Sequence, residues 1–412
     1  MAFPLEYGRI CFDIQSIYYK EETELVIEPK VREFICTTAH PDGCRENVMR
    51  QIEYTKKLGN TEGPKKVLII GSSTGYGLAS RITATYACNA STLGIMFEKP
   101  AAPPRRTATP GWYNTKAFEE IAQADGYYAK TINGDAFSEK VKLETIDIIK
   151  KDLGKIDMVI YSLAAPRRTL GDGTVYSSTL KTVEQDFTNK SLNLKDNSIS
   201  EATIHPASEE EITATVKVMG GEDWMDWMKA LSEADVLEPN AETVAYSYIG
   251  PKLTYPVYYN GTIGIAKKHL YDTSLQINKD FSHKGIHAYI SVNKALVTQA
   301  SSAIPIVPLY MAILYKVMKD KNLHEGCIEQ INRLFREKLN CGCPVADKEG
   351  RIRLDDYEMN EDIQSQVMEY WDQVNSENIN QLADMTGYWD DFYHMFGFRF
   401  DDVDYTKDVT LE

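Results

Sequence analysis

The chain alternates short, unbroken apolar runs with stretches in which apolar residues recur at helical spacing. The clearest run, Val67-Leu68-Ile69-Ile70, is four aliphatics without polar alternation, the pattern of a strand covered on both faces of a parallel sheet. It stops abruptly at Gly71-Ser72-Ser73-Thr74-Gly75-Tyr76-Gly77-Leu78, a turn that opens into a helix over 75–86. Further strands are predicted over 92–98, 127–132 and 158–161, separated by helices over 115–124 and 139–153. A polar stretch from 174 to 207 interrupts the pattern and reads as a surface excursion. Beyond it come helices over 212–219 and 224–231, a strand over 243–248, a helix over 267–277 and a sixth strand over 287–292.

Strand and helix alternating in this way predict an α/β fold, a doubly wound parallel sheet of the Rossmann, short-chain-dehydrogenase-like type. The ends of the chain add to it. Upstream, a β-branched segment over 31–36 leads to His40-Pro41-Asp42-Gly43-Cys44, read as a turn whose His40 caps a backbone group, and to a helix over 47–57. Downstream, an apolar helix over 299–318, kinked by Pro305 and Pro308, and helices over 326–339 and 362–371 form a C-terminal helical elaboration. The expected organisation is an N-terminal extension of unknown role at 1–25, then one Rossmann-like domain over 26–412 with an insertion at about 174–240.

Composition narrows the partners. With 43% hydrophobic residues the 412-residue chain can bury a sizeable core, and its net charge of -15 argues against a nucleic-acid or anionic-membrane surface. An anionic ligand must therefore meet a local basic patch; Arg105-Arg106, Arg167-Arg168 and Lys267-Lys268 are the candidates. Seven scattered cysteines do not form a disulfide framework, and Cys341-Gly-Cys343 lacks the second pair that a structural zinc needs, so no metal is expected. The acids Asp390, Asp391, Asp401 and Asp402 read as solvated. No apolar leader follows Met1, and the longest apolar run, 303–317, contains two prolines and is shorter than the roughly 20 residues that span a bilayer. A cytoplasmic protein is the expectation.

The glycine turn carries the first chemistry. Its G-x-x-x-G-x-G spacing lets the backbone turn tightly beside a pyrophosphate, which then faces the free N–H groups of the helix. Glu98 ends the second strand 21 positions beyond Gly77, where a carboxylate accepts from the adenosine ribose and repels a 2′-phosphate, favouring NADH over NADPH. Arg105 and Arg106 nearby weaken that preference. Asp135, after the third strand, is placed to accept from the adenine amino group, and the small residues after Tyr161 let a cofactor lie close to the fourth strand.

A reduction of a carbonyl, or of a double bond conjugated with one, needs an acid where negative charge develops. Tyr258 and Lys267 form the candidate pair, a phenol whose pKa an adjacent ammonium draws down from about 10. In an unbroken helix, nine positions would separate them by about 13.5 Å on opposite sides. They converge only if Asn260-Gly261 breaks the chain and a helix starts near Thr262. Tyr248, at the end of its strand, is a second candidate.

These residues resemble a known family, the NADH-dependent trans-2-enoyl-CoA and enoyl-acyl-carrier-protein reductases of the single-chain type with a Tyr-x8-Lys motif. The resemblance covers roughly 31–408 and includes Gly111-Trp112-Tyr113-Asn114, Gly134-Asp135-Ala136-Phe137, Val218-Met219-Gly220-Gly221-Glu222-Asp223-Trp224 and the strings over 34–41, 297–305 and 324–330. It implies NADH-dependent reduction of the 2,3 double bond of an enoyl thioester, with Tyr258 as proton donor, Tyr248 against the acyl substrate and Lys267 on the cofactor ribose. It further implies that Gly71, Ser72, Ser73, Thr74, Gly75 and Tyr76 hold the pyrophosphate and that Phe97 and Glu98 hold the adenosine. Asp135, Ala136, Leu163 and Ala164 would line adenine and ribose, and Leu296, Val297 and Thr298 the nicotinamide. The substrate partner would be enoyl-CoA or an acyl-carrier-protein thioester, and the enzyme a monomer. Residues 1–25 have no family counterpart, and Arg399 and Phe400 are bulkier than the family's closing segment leads one to expect. A catalytically silent NADH-binding sensor on the same fold is the rival reading.

Overall fold

A computed structural model describes residues 26–32, 35–103, 106–298, 304–339 and 344–411. The expectations that concern 1–25, Arg105, the start of the helix over 299–318 and Cys341-Gly-Cys343 lie wholly or partly outside them. At the centre are seven parallel strands. In chain order they are β1 (Lys66–Ile70), β2 (Ser91–Met96), β3 (Ala129–Asn133), β4 (Ile156–Tyr161), β5 (Leu237–Ser247), β6 (His287–Val292) and β7 (Ile352–Arg353). Their spatial order is β3-β2-β1-β4-β5-β6-β7, so the order reverses between β1 and β4. Val67, Leu68, Ile69 and Ile70 are fully enclosed, as two-face burial of a central strand requires. The two-residue β7 escaped the sequence pattern because Arg351 and Arg353 flank Ile352 and hide its apolar character.

Helices on both faces supply that cover, with most boundaries within a few residues of expectation. The helix Pro41–Lys57 begins six residues early. The segment expected to be a turn is its first turn, with His40 as N-cap accepting from Gly43 N–H through Nδ1 at 3.3 Å. Pro110–Ala124 likewise starts early, on a proline that suits a first turn. The helix over 139–153 ends as a π-helical turn, Ile149–Leu153.

Two segments differ more. The polar excursion contains an antiparallel hairpin, Phe187–Asn193 against Ser198–Ile204, which buries Leu192 and Ile204 in the same core as the apolar helix Val307–Asp320. Its Thr, Asn, Ser and charged side chains leave only Leu192 and Ile204 buried, too few apolar positions to read as strands. That apolar helix is unkinked: it starts at Val307 with Pro308 in its first turn, and Ile306 ahead of it takes φ 78°, a conformation that a β-branched residue rarely adopts. Ile304, Ile306 and Val307 are buried beneath helices Glu361–Gln373 and Met385–His394. Asp391 is not solvated as expected; burial beside Tyr315 raises its pKa. The bulky closing pair is accommodated, with Arg399 over the Tyr393 ring and Phe400 stacked on His394.

Candidate active site

Ligands of doubly wound sheets bind beyond the carboxyl ends of the strands, where the strand order reverses. Here that point lies between Gly71, after β1, and Ser162, after β4. Gly71 has φ 85°, and a Cβ on it would stand 2.5 Å from the Ser162 carbonyl oxygen. Gly77 is equally constrained, since its Cβ would collide with the Gly71 carbonyl. Gly75, in contrast, has φ 52° and nothing within 4 Å of the place a Cβ would take, so the turn is open at the start of helix Gly75–Cys88. Thr74, the N-cap of that helix, makes no side-chain cap, which leaves the first-turn N–H groups directed at an anion. A closed back and an open front suit a dinucleotide pyrophosphate.

The neighbouring strand ends continue this groove. Ser73 donates to Glu98 Oε1 at 2.7 Å, and the absence of a side chain on Gly111 makes room for that carboxylate. Asn133 braces Glu98 from β3, accepting from its N–H at 2.8 Å and donating to its carbonyl at 3.0 Å. Phe97 beside it is 78% exposed. Asp135 accepts from Phe137 N–H at 3.0 Å, while the Ala136 carbonyl accepts from Lys142 Nζ at 3.1 Å and Trp227 Nε1 at 3.2 Å. Lys142 in turn pairs with the buried Asp223 at 2.7 Å. Leu163 is half-buried against the core and Ala164 exposed at the groove.

Tyr248 and Tyr258 meet on the β5 side. One residue past β5, Tyr248 packs edge to face on Tyr258, with ring centroids 4.9 Å apart and planes at 86°. The expected chain break is present: a short 3-10 turn, Lys252–Thr254, precedes Tyr258, and a separate helix, Thr262–Asp280, begins after Gly261. A side chain on Gly261 would press on the Val257 carbonyl, and the Thr262 hydroxyl fixes the new helix by donating to Thr179 O. Tyr258 and Lys267 are thus on separate elements.

The electrostatics differ from the sequence expectation. Lys267 does not draw the Tyr258 phenol down; burial, with the charge of Glu358, pushes it up. The Lys267 ammonium instead donates to the Tyr246 carbonyl at 2.9 Å, and burial lowers its pKa to about 8. Among the basic pairs, Arg168 is buried and bound to Glu222 and Asp226, and Lys268 pairs with Asp272, so neither is a free anion patch.

Two residues that sequence reasoning missed, Glu358 and Lys294, complete this pocket. Glu358 is fully buried; its Oε1 accepts from Tyr248 at 2.9 Å and from Tyr310 at 2.7 Å, and its Oε2 accepts from Ala295 N–H at 2.7 Å. Lys294 is buried nearby, donating to the Ala295 carbonyl at 2.9 Å, and Tyr76 of the glycine turn donates to the Lys294 carbonyl at 2.8 Å. Leu296 and Val297 follow, both buried, with Val297 N–H donating to Tyr315 at 3.1 Å, and Thr298 half-buried after them. A lone glutamate in Asp355-Asp356-Tyr357-Glu358 carries no spacing signal; only the fold brings it to Tyr248.

The chain is similar over almost its whole length to known proteins. Residues 26–103 match the NAD(P)H binding domain of trans-2-enoyl-CoA reductase, and 106–340 match the trans-2-enoyl-CoA reductase catalytic region. A trans-2-enoyl-CoA reductase [NADH] of Ruminiclostridium cellulolyticum is 52% identical over 94% of this chain and 98% of its own. An enoyl-[acyl-carrier-protein] reductase [NADH] of Cytophaga hutchinsonii is 54% identical over 93% and 98%. The crystal structure of Treponema denticola trans-2-enoyl-CoA reductase in complex with NAD superposes with a TM-score of 0.90 at 46% identity, over 94% of this chain and 98% of that one.

Residues 346–409 match an enoyl reductase FAD binding domain, but their described residues do not fit a flavin. Ile363, Val367, Trp371, Tyr388 and Phe392 are packed in the core, and a side chain on Gly387 or Gly397 would strike Lys319 and Asp384 or Cys44 and His40. Dinucleotide-like geometry is found instead at the β1 turn. By sequence, by fold and by the segments gathered at the carboxyl ends of β1 to β6, this chain belongs to the trans-2-enoyl-CoA reductase family.

Proposed function

We propose that this chain reduces the 2,3 double bond of trans-2-enoyl thioesters, CoA or acyl-carrier-protein bound, with NADH. The observation that carries the reading is the Tyr248–Tyr258 pair on the same sheet edge as the open glycine turn. In it, the turn formed by Gly71, Ser72, Ser73, Thr74, Gly75 and Tyr76 holds the pyrophosphate; Gly71 and Ser72 N–H donate to the Ile95 carbonyl and shape the turn, and the free N–H groups at the start of helix Gly75–Cys88 face the anion. Phe97 and Glu98 take the adenosine, Asp135, Ala136, Leu163 and Ala164 line the adenine and its ribose, and Leu296, Val297 and Thr298 flank the nicotinamide. Lys267 turns its ammonium to the nicotinamide ribose. When bound, NADH supplies the hydride that adds to C3 of the substrate.

The chain's own residues handle the charge that results. Tyr258 donates a hydrogen bond to the thioester oxygen as it becomes an enolate, and a proton then closes C2. A phenol held above its ordinary pKa stays protonated throughout the neutral range, which suits a donor of this kind. Tyr248 packs the acyl chain against Tyr258. The intact pair disfavours the sensor reading, and the decisive test is loss of the NADH absorbance band with crotonyl-CoA; an unchanged band would reject the enzyme reading. Comparing kcat/KM for one acyl chain on CoA and on carrier protein distinguishes the two thioesters.

A monomer is the expected state, and sedimentation tests it. Cys36, Cys44, Cys88 and Cys327 are free thiols, which supports placement in a reducing, cytoplasmic compartment. Among the described residues no helix is long and apolar enough to cross a membrane.

A further inference from the structure

Glu358 is the most enclosed carboxylate near the reacting groups, and its three hydrogen bonds reach three different parts of the site. Tyr248 stands at the end of β5, Tyr310 on the apolar helix Val307–Asp320, and Ala295 immediately before Leu296. Gln364 holds the arrangement from behind, donating to the Glu358 carbonyl at 2.7 Å and to the Tyr310 hydroxyl at 3.3 Å. An acceptor-only group that receives three donors dictates which way each donor points. Because the Tyr248 proton is directed at Glu358, Tyr248 can offer only lone pairs to the substrate side.

We infer that Glu358 is a positioning residue for the proposed reduction: its carboxylate fixes the rotamer and hydrogen-bond direction of Tyr248, which sets the face on which Tyr258 packs. The inference rests on the reading of Tyr248 and Tyr258 as the reaction pocket. Glu358 touches neither substrate nor cofactor in this scheme. Its removal is felt through Tyr248, and the amide of glutamine is a sharp probe because it presents one acceptor and one donor where the site requires two acceptors. In Glu358→Gln either Ala295 N–H faces an NH2 group or the two tyrosines must turn their protons away.

The groups that face Glu358 are Lys294, Tyr76, Tyr248, Tyr258, Tyr310 and Asp355, and burial holds its pKa above the usual carboxylate range despite the Lys294 ammonium. Protonation of Glu358 therefore mimics the amide.

The test is a double-mutant cycle on the full chain with NADH and crotonyl-CoA. In the parent background Glu358→Gln is expected to lower kcat about tenfold while the NADH dissociation constant, read by fluorescence, moves less than about threefold. In a Tyr248→Phe background the same change is expected to cost less than about twofold, because the hydroxyl it acts through is gone. An equal loss in both backgrounds would overturn the inference, as would an undiminished kcat in the single variant. If Glu358→Gln does not fold, the pH profiles of the parent and Tyr248→Phe decide: an acid limb on kcat present in the parent and absent from Tyr248→Phe supports the positioning role, whereas a limb shared by both, or lacking in the parent, overturns it. A parent chain that leaves NADH unconsumed rejects the functional reading itself, and this inference with it; turnover by the parent with equal losses rejects the inference alone.

Discussion

The two halves of the site are built in different ways. The groove over β1, β2 and β3 is made of local pieces: a strand end, the turn after it, and one side chain such as Glu98 braced by its neighbours Ser73 and Asn133. The pocket over β5 and β6 is assembled across the chain, with Tyr248 joined to Glu358 and Tyr76 to Lys294 and Gln330. Local pieces tolerate little change in the backbone but read plainly in sequence. The assembled pocket depends on a buried network whose members gain meaning only when folded together.

The largest effect should come from the assembled half. Tyr258→Phe removes the proposed donor while keeping the ring that packs on Tyr248, so kcat with crotonyl-CoA is expected to fall about 10²–10³-fold with the NADH dissociation constant within about threefold. Turnover at the parent rate would mean that the oxygen is stabilised elsewhere. In the local half, Gly71→Ala forces a Cβ into φ 85° and against the Ser162 carbonyl. Urea unfolding is expected to show a loss of roughly 3 kcal/mol, with NADH binding weakened in step. A variant as stable as the parent would show that the turn can relax.

That contrast also explains what the sequence alone makes legible. The places of Gly71, Gly75 and Gly77, of Glu98 and Asp135 at strand ends, and of the break at Asn260-Gly261 were legible because each follows from local backbone or from where an apolar run stops. Six of the seven strands were legible as apolar runs, and β7 was not, because an edge strand of two residues, one of them Arg353 and the other preceded by Arg351, leaves no run to detect. Glu358 and Lys294 were invisible for a different reason. A buried charge looks like a surface charge in sequence, and only the convergence of Tyr248, Tyr310 and Ala295 distinguishes it. The expected Tyr258–Lys267 ammonium effect failed for the same reason in reverse: spacing paired the two, while in the fold the Lys267 ammonium donates to the Tyr246 carbonyl.

Cofactor choice is a milder test of the local half. Glu98→Gln keeps an acceptor for the Ser73 hydroxyl and removes the charge that repels a 2′-phosphate. The ratio of kcat/KM for NADH to that for NADPH is expected to fall about tenfold. Comparable efficiency with both cofactors in the parent would refute the role given to Glu98.

Lys267 joins the halves, since it lies on the helix after the tyrosines and is assigned to the cofactor, and its titration gives the smallest effect. Its pKa is about 8 in the fold against 10.5 for the free side chain. Between those values the unfolded chain binds more protons, so this group's contribution to stability rises with pH across pH 8 to 10.5 and its full burial cost is present below 8. Binding runs the opposite way, because a deprotonated Lys267 loses the charge that holds the ribose. The NADH dissociation constant is therefore expected to rise about two- to fivefold between pH 7 and 9. Lys294 also titrates near 8, so the parent curve alone does not separate the two. Fluorescence titration of Lys267→Met should give weaker binding with a flat profile over that window; a rise as steep as the parent's would assign the dependence to Lys294 and detach Lys267 from the cofactor.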